Sequence, residues 1–177
     1  MVRRNLLAAV FLGIMQVSLA QAQTCPSAIA KTTPTSDFTV HNNGTVTHIP
    51  TGLMWKVCSE GQAWQNDGTC SGTASGHNWK AALEIPQTLK SGAGYAGHTD
   101  WRLPNVKELA SIAELACYSP AINTAVFHNT PPFFYWSASP YADGSPFAWV
   151  VRFYHGNDGH NLRYNDYGLV RLVRSGQ

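Results

Sequence analysis

The amino-acid sequence predicts an α+β domain with two helices, small antiparallel sheets and a long irregular C-terminal half. Three observations carry this reading. Phe38 to His41 and Thr45 to Ile49 alternate apolar and polar residues on either side of Asn42-Asn43-Gly44, as the arms of a hairpin do. The segment opened by Asn105, with Glu108 three residues on, repeats its apolar residues at helical spacing. After Cys117 that period disappears, and Pro120, Pro131, Pro132, Pro140 and Pro146 punctuate short aromatic runs.

In chain order, Arg3 and Arg4 precede an apolar run from Leu6 to Met15 and the small-residue site Ala20-Gln21-Ala22. This pattern predicts a secretory signal peptide over residues 1–22, cut before Gln23. The run is shorter than the roughly 20 apolar residues a bilayer requires, so no membrane insertion is expected after cleavage. A lipid anchor on Cys25 is not expected either, because Ala22-Gln23-Thr24 lacks the small residues that such a signal places before its cysteine. Residues 23–36, rich in Thr, Ser, Pro and Ala, read as an irregular lead-in, with order beginning at Asp37. The hairpin follows, and Pro50-Thr51-Gly52 turns the chain into Leu53 to Val57, a buried strand. Ser59 to His77, rich in Gly, Ser and Thr, reads as a surface loop. Asn78 caps a first helix carrying Trp79, Ala82, Leu83 and Leu89, which Pro86 limits or kinks. The second helix places Val106, Leu109, Ile112, Ala113 and Ala116 on one face and ends near Cys117. Phe133 to Ala138, Ala148 to Tyr154 and Leu169 to Arg174 read as strands. The domain so defined spans 37–177.

Charge and cysteines narrow the class of function. Of 12 basic residues two leave with the signal, so ten remain against ten acidic ones. A near-neutral domain without a Lys/Arg cluster argues against a nucleic-acid partner. Cys25, Cys58, Cys70 and Cys117 form an even set in a chain bound for an oxidising compartment, which reads as two disulfides. Three pairings exist. Cys58 with Cys70 is favoured, because it closes a loop-like segment at a gain of about 3 kcal/mol in the chain-entropy picture, leaving Cys25 with Cys117. A zinc site would need ligand spacings that are missing, since there is no CxxC pair and the histidines are scattered.

Five segments, taken together, point to a family: Thr51-Gly52-Leu53-Met54-Trp55; Asp100-Trp101-Arg102-Leu103-Pro104-Asn105 with Glu108-Leu109; Cys117 followed by Pro120-Ala121-Ile122-Asn123; Tyr135-Trp136-Ser137-Ala138-Ser139; and Val170-Arg171-Leu172-Val173-Arg174. From Phe38 onward the chain resembles the bacterial Lcl C-terminal-domain family, named for part of a collagen-like adhesin. Two of the segments are also similar to the sulfatase-modifying-factor fold, the scaffold of formylglycine-generating enzyme. The resemblance implies a C-type-lectin-like fold, with a small sheet joining the chain termini and a long irregular segment carrying the ligand surface. It places Trp55, Trp101, Leu103, Trp136, Leu172 and Val173 in the core and gives Arg102 and Arg171 structural roles on carboxylates or carbonyls. Two departures matter. The family's Asp-rich first turn reads His41-Asn42-Asn43-Gly44 here, without carboxylates for calcium. Formylglycine-generating chemistry needs cysteines in the C-terminal half, and none follows Cys117.

The candidate recognition surface is Arg152 to Tyr167. It gathers Arg152, Tyr154, His155, Asn157, Asp158, His160, Asn161, Arg163, Tyr164, Asn165, Asp166 and Tyr167, with Trp149 and Tyr141 extending it. Flat rings with polar tips, amides and both charge signs suit sugar recognition or a protein interface. The same composition also makes an ordinary solvated loop. His155, Asp158 and His160 offer acid, base or metal chemistry only in principle, and no GxSxG or HExxH motif is present. The expectation is therefore a periplasmic or secreted binding module without cofactor or metal, not an enzyme. Its partner is a glycan, sulfated glycans included by the resemblance. The alternatives are an envelope or extracellular protein, self-association into a homo-oligomer, and an enzyme on a sulfatase-modifying-factor-like scaffold.

Overall fold

A computed structural model describes residues 22–143 and 145–176 of the chain, so the expected signal peptide lies, apart from Ala22, outside the described residues. The hairpin forms where the alternation places it, as β1 (Phe38–His41) and β2 (Thr45–His48). Asn43 shapes the turn by accepting hydrogen bonds from the backbone N–H and hydroxyl of Thr45. β3 (Leu53–Lys56) pairs with β2, and β9 (Val173–Ser175) pairs with β3, completing an antiparallel sheet in the order β1-β2-β3-β9. The predicted last strand from Leu169 is shorter than expected. Leu169 instead bridges to Tyr135, and residues 170–172 run between the two sheets as buried, irregular chain.

The loop after Cys58 carries the two-residue pair β4 (Ala63–Trp64) and β5 (Cys70–Ser71), closed by the Cys58–Cys70 disulfide. The second disulfide joins Cys25 to Cys117, and both bridges follow the favoured pairing. The third sheet is β6 (Phe134–Pro140), β7 (Phe147–Arg152) and β8 (Asn157–Leu162). β8 corrects the reading of Arg152 to Tyr167 as loop. Its sequence Asn-Asp-Gly-His-Asn-Leu has low strand propensity, and six residues of register with β7 supply what local preference does not.

Helix α1 (Trp79–Glu84) starts at Asn78, whose side chain accepts from Ala81 N–H at 2.9 Å, and passes into a 3-10 helix through Pro86. Helix α2 (Val106–Ala110) carries the predicted capping box in full. It stops well short of Cys117. The Ser111 hydroxyl takes the Glu108 carbonyl at 2.7 Å, Ala113 leaves to pair with Ile122, and the buried Glu114 turns toward the lead-in. Helices this short are not stable alone, so packing holds them. The third sheet lies between the two cores. Tyr135 and Val151 join Leu109 and Ile112 in one, whereas Trp136, Ala148 and Val150 join Trp101, Val170 and Leu172 in the other, with Trp79 against it. Trp136 packs over Gly168 so closely that a Cβ there would fall 2.0 Å from the ring nitrogen.

The lead-in is also more ordered than composition implied. Thr24 and Tyr118 exchange backbone hydrogen bonds at 3.0 and 2.9 Å beside the Cys25–Cys117 bridge. Burial pushes the Glu114 carboxyl up, but N–H donors from Thr32, Ala116 and Thr33 outweigh it and hold the group below its ordinary pKa. Order thus begins ahead of Asp37, because a buried carboxylate must be satisfied and the lead-in supplies the donors.

Candidate functional site

Strand geometry divides the residues singled out in sequence. In β8, Asp158 and His160 lie opposite Val151 and Trp149, while Asn157 and Asn161 lie opposite Arg152 and Ala148. Side chains alternate across a sheet, so the two sets face opposite ways. On one face Tyr141, Trp149 and His160 form a contiguous aromatic platform, with Tyr141 5.1 Å from Trp149 and 4.9 Å from His160, and Phe147 4.9 Å from His160.

The other residues scatter around this hairpin. Arg152 reaches over β8 and donates to the carbonyls of Asp158 and His160. Arg163 stacks on Trp79 at 4.6 Å and donates through Nε to the Phe147 carbonyl at 2.8 Å, which makes it a strut between α1 and β7. Asp166 accepts from the Asn78 side chain at 2.9 Å, and Asn165 Oδ1 accepts from Tyr167 N–H at 3.1 Å. Tyr164 is exposed, and Tyr154 packs edge-on against His155 in the turn before β8. The segment as a whole is at the surface, but it does not make one continuous face.

A different surface does make one. Two open depressions adjoin at Pro132 and Phe133, one of about 450 Å³ reaching Tyr167, the other of about 330 Å³ reaching Arg152 and Tyr154. Phe133, Tyr154 and Tyr167 stand along this trough at 44%, 43% and 69% exposure. Beyond Pro131 it continues into a third depression of about 640 Å³, whose walls mix prolines and Ala74 with the polar side chains of Gln62, Thr73, Thr124, His128 and Asn129. Sequence reasoning missed Phe133, because it read that residue as the first of a strand. The strand begins one residue later, after Pro131 and Pro132 have turned Phe133 outward. The consecutive prolines were the usable signal.

Beneath the polar end lies Arg171, fully buried. Its Nη1 donates to the carbonyls of Lys56 and Val57, and its Nη2 to Ser59 Oγ at 3.2 Å and Thr130 Oγ1 at 2.7 Å. The guanidinium also lies 4.8 Å from the Phe127 ring centre and 5.8 Å from that of Tyr135. Thr130 is part of the wall of the third depression, so this hub fixes the floor of the trough to the first sheet. Lys56 forms an ion pair with Glu60 at 2.6 Å and is buried, which withdraws it from any basic surface patch. Arg102 grips Glu108 with two contacts of 2.7 Å, the carboxylate grip its motif implied. Among the described residues, no three His, Cys, Asp or Glu side chains are placed to hold a metal ion.

The fold and the trough together define an α+β domain, stapled by two disulfides, with a ready-made surface depression. The Lcl C-terminal domain family model matches residues 44–174, and the chain belongs to that family. No curated protein matches the chain. The two disulfides fit an exported protein. Among the described residues no helix is long and apolar enough to cross a membrane.

Proposed function

We propose that this chain is an exported binding module, working in the periplasm or outside the cell, that recognises carbohydrate along the trough through Phe133. The observation that carries the reading is the row of exposed rings, Tyr167, Phe133 and Tyr154, set in two adjoining depressions that open at one end into an amide- and hydroxyl-rich third. Flat rings take the apolar faces of sugars and polar walls take their hydroxyls, and a trough of three basins suits a chain of sugar units better than a single one. The C-type-lectin-like scaffold implied by the family motifs supports the same reading, since it displays ligands on a long irregular segment; the contact proposed here is the Pro131–Phe133 ridge rather than β8. A glycan array read with the oxidised domain tests it. Binding weakened at least tenfold by both Phe133→Ala and Tyr167→Ala, a loss of about 1.4 kcal/mol, is the expected result. A blank array, or an affinity indifferent to both variants, overturns it.

A second reading has its own observation. Ile29, Leu115 and Tyr118 are exposed at 53%, 60% and 44% around an apolar depression of about 360 Å³ beside the Cys25–Cys117 bridge, with His155 at its rim. Such a patch fits a protein partner or a second copy better than a sugar. Native mass measurement with Leu115→Glu separates the two readings, because that change leaves the trough intact.

A further inference from the structure

The sheet β6-β7-β8 has two edges, and they are treated differently. The β6 edge is closed by the chain itself: Trp136 N–H donates to Leu169, Leu169 N–H donates to Phe134, and Ala138 N–H donates to Pro104. No described strand pairs with the far side of β8. A six-residue strand with free carbonyls and N–H groups is a template for pairing with another chain. β8 lacks the usual protections of proline, lysine or a bulge.

In their place stands a contact made by Arg152. Its guanidinium donates to the carbonyls of Asp158 at 3.4 Å and His160 at 3.1 Å. These residues are two apart, so their carbonyls point the same way, and by accepting from Arg152 rather than from β7 they are placed on the free side. The route exists only because residue 159 is glycine. A Cβ there would fall 1.7 Å from Arg152 Nη1 and 2.6 Å from its Cζ. Two amides finish the covering: Asn157 Nδ2 donates to the Asp158 carbonyl at 3.1 Å, and Leu162 N–H donates to Asn161 Oδ1 at 2.9 Å.

We infer that Arg152, laid across Gly159, is a latch that withholds the β8 edge from strand pairing with a second copy of this chain. Asp158 keeps its side chain exposed and His160 keeps its place in the aromatic platform while their carbonyls are occupied. The latch rests on contacts within the sheet, and Arg152 also borders the trough beside Tyr154. It also changes what Arg152 is for, from a donor held out to ligands to a donor spent on the protein's own edge.

Sedimentation of the oxidised domain over a concentration series tests the inference with two variants that open the latch from opposite sides. Arg152→Ala removes the donor; Gly159→Ala keeps the charge but occupies its path. Both are expected to self-associate at least tenfold more tightly than the wild type, with the new contact protecting backbone amides of 157–162 from hydrogen exchange. Variants that retain native circular dichroism yet sediment as the wild type does overturn it. A third measurement needs no variant: in the wild-type protein the Arg152 guanidinium should show hindered rotation by NMR, and free rotation there also overturns the inference.

Discussion

Replacing Arg171 with methionine tests how much of this fold hangs on one buried cation. The substitution keeps most of the side-chain volume, so the cavity contribution is small. What is lost is the donor set. Ser59 retains its contact with the Tyr135 hydroxyl at 2.7 Å, and Thr130 retains its bond to the Phe127 carbonyl at 2.8 Å, so neither hydroxyl is orphaned. The carbonyls of Lys56 and Val57 lose the guanidinium, and a buried polar group left unsatisfied costs about 1–3 kcal/mol. Against this stands the relief of no longer holding an ion away from water, the effect that pulls the Arg171 pKa down. A net loss of about 3 kcal/mol is expected, or roughly 6–12 °C in melting temperature for a domain of this size. Urea unfolding of the oxidised protein with intrinsic tryptophan fluorescence measures it directly. Arg171→Lys should fall between, since one ammonium cannot serve both carbonyls and both hydroxyls. An Arg171→Met protein as stable as the wild type would refute the reasoning, because the carbonyls would then have found other donors.

Two further outcomes follow from features near the sheet and the lead-in. His48 is buried, stacked on Phe38 at 4.9 Å and bonded through Nδ1 to the Thr51 hydroxyl at 2.8 Å, and burial holds its pKa below the ordinary value despite the nearby Asp37. The unfolded chain therefore takes up this proton first. Stability is complete above the unfolded value of about 6.5 and declines as pH falls through the lowered folded value, so thermal melts between pH 7.5 and 5.5 should show a fall that His48→Gln reduces. Removing the Cys25–Cys117 bridge as a double serine variant opens a span of 92 residues and should cost up to about 4–5 kcal/mol in the chain-entropy picture, measured by urea unfolding against the Cys58–Cys70-intact protein.

What could be read from sequence depended on whether local chemistry or long-range contact decided each element. Asn105 and Glu108 satisfy each other's backbone within four residues, so the start of α2 was legible. Its end was not, because Ala113 and Glu114 answer to the Ile122 backbone and the lead-in, which no local pattern announces. β8 was missed for the same reason: Asn157 to Leu162 looks like turn sequence and becomes strand only in the presence of β7. The candidate face is divided by the strand that carries it. Asp158 and Asn157 are neighbours in composition, yet a pleated strand sends them to opposite sides, and the exposed Phe133, where the two depressions meet, lay outside the segment whose composition drew attention. The motif residues fared better, since Trp55, Trp101, Leu103, Trp136, Leu172 and Val173 are all buried.

β9 has a consequence for the order of events during maturation. Arg174 meets Met54 across 120 residues, and Val173 also exchanges both backbone hydrogen bonds with Arg102. The sheet begun by the earliest strands thus stays open on one side until Val173–Ser175 is available to pair with β3. Pairings of such sequence separation close slowly. During that interval β3 has an unpaired flank, so a partner that shields this flank would raise the yield of native protein without touching its final stability.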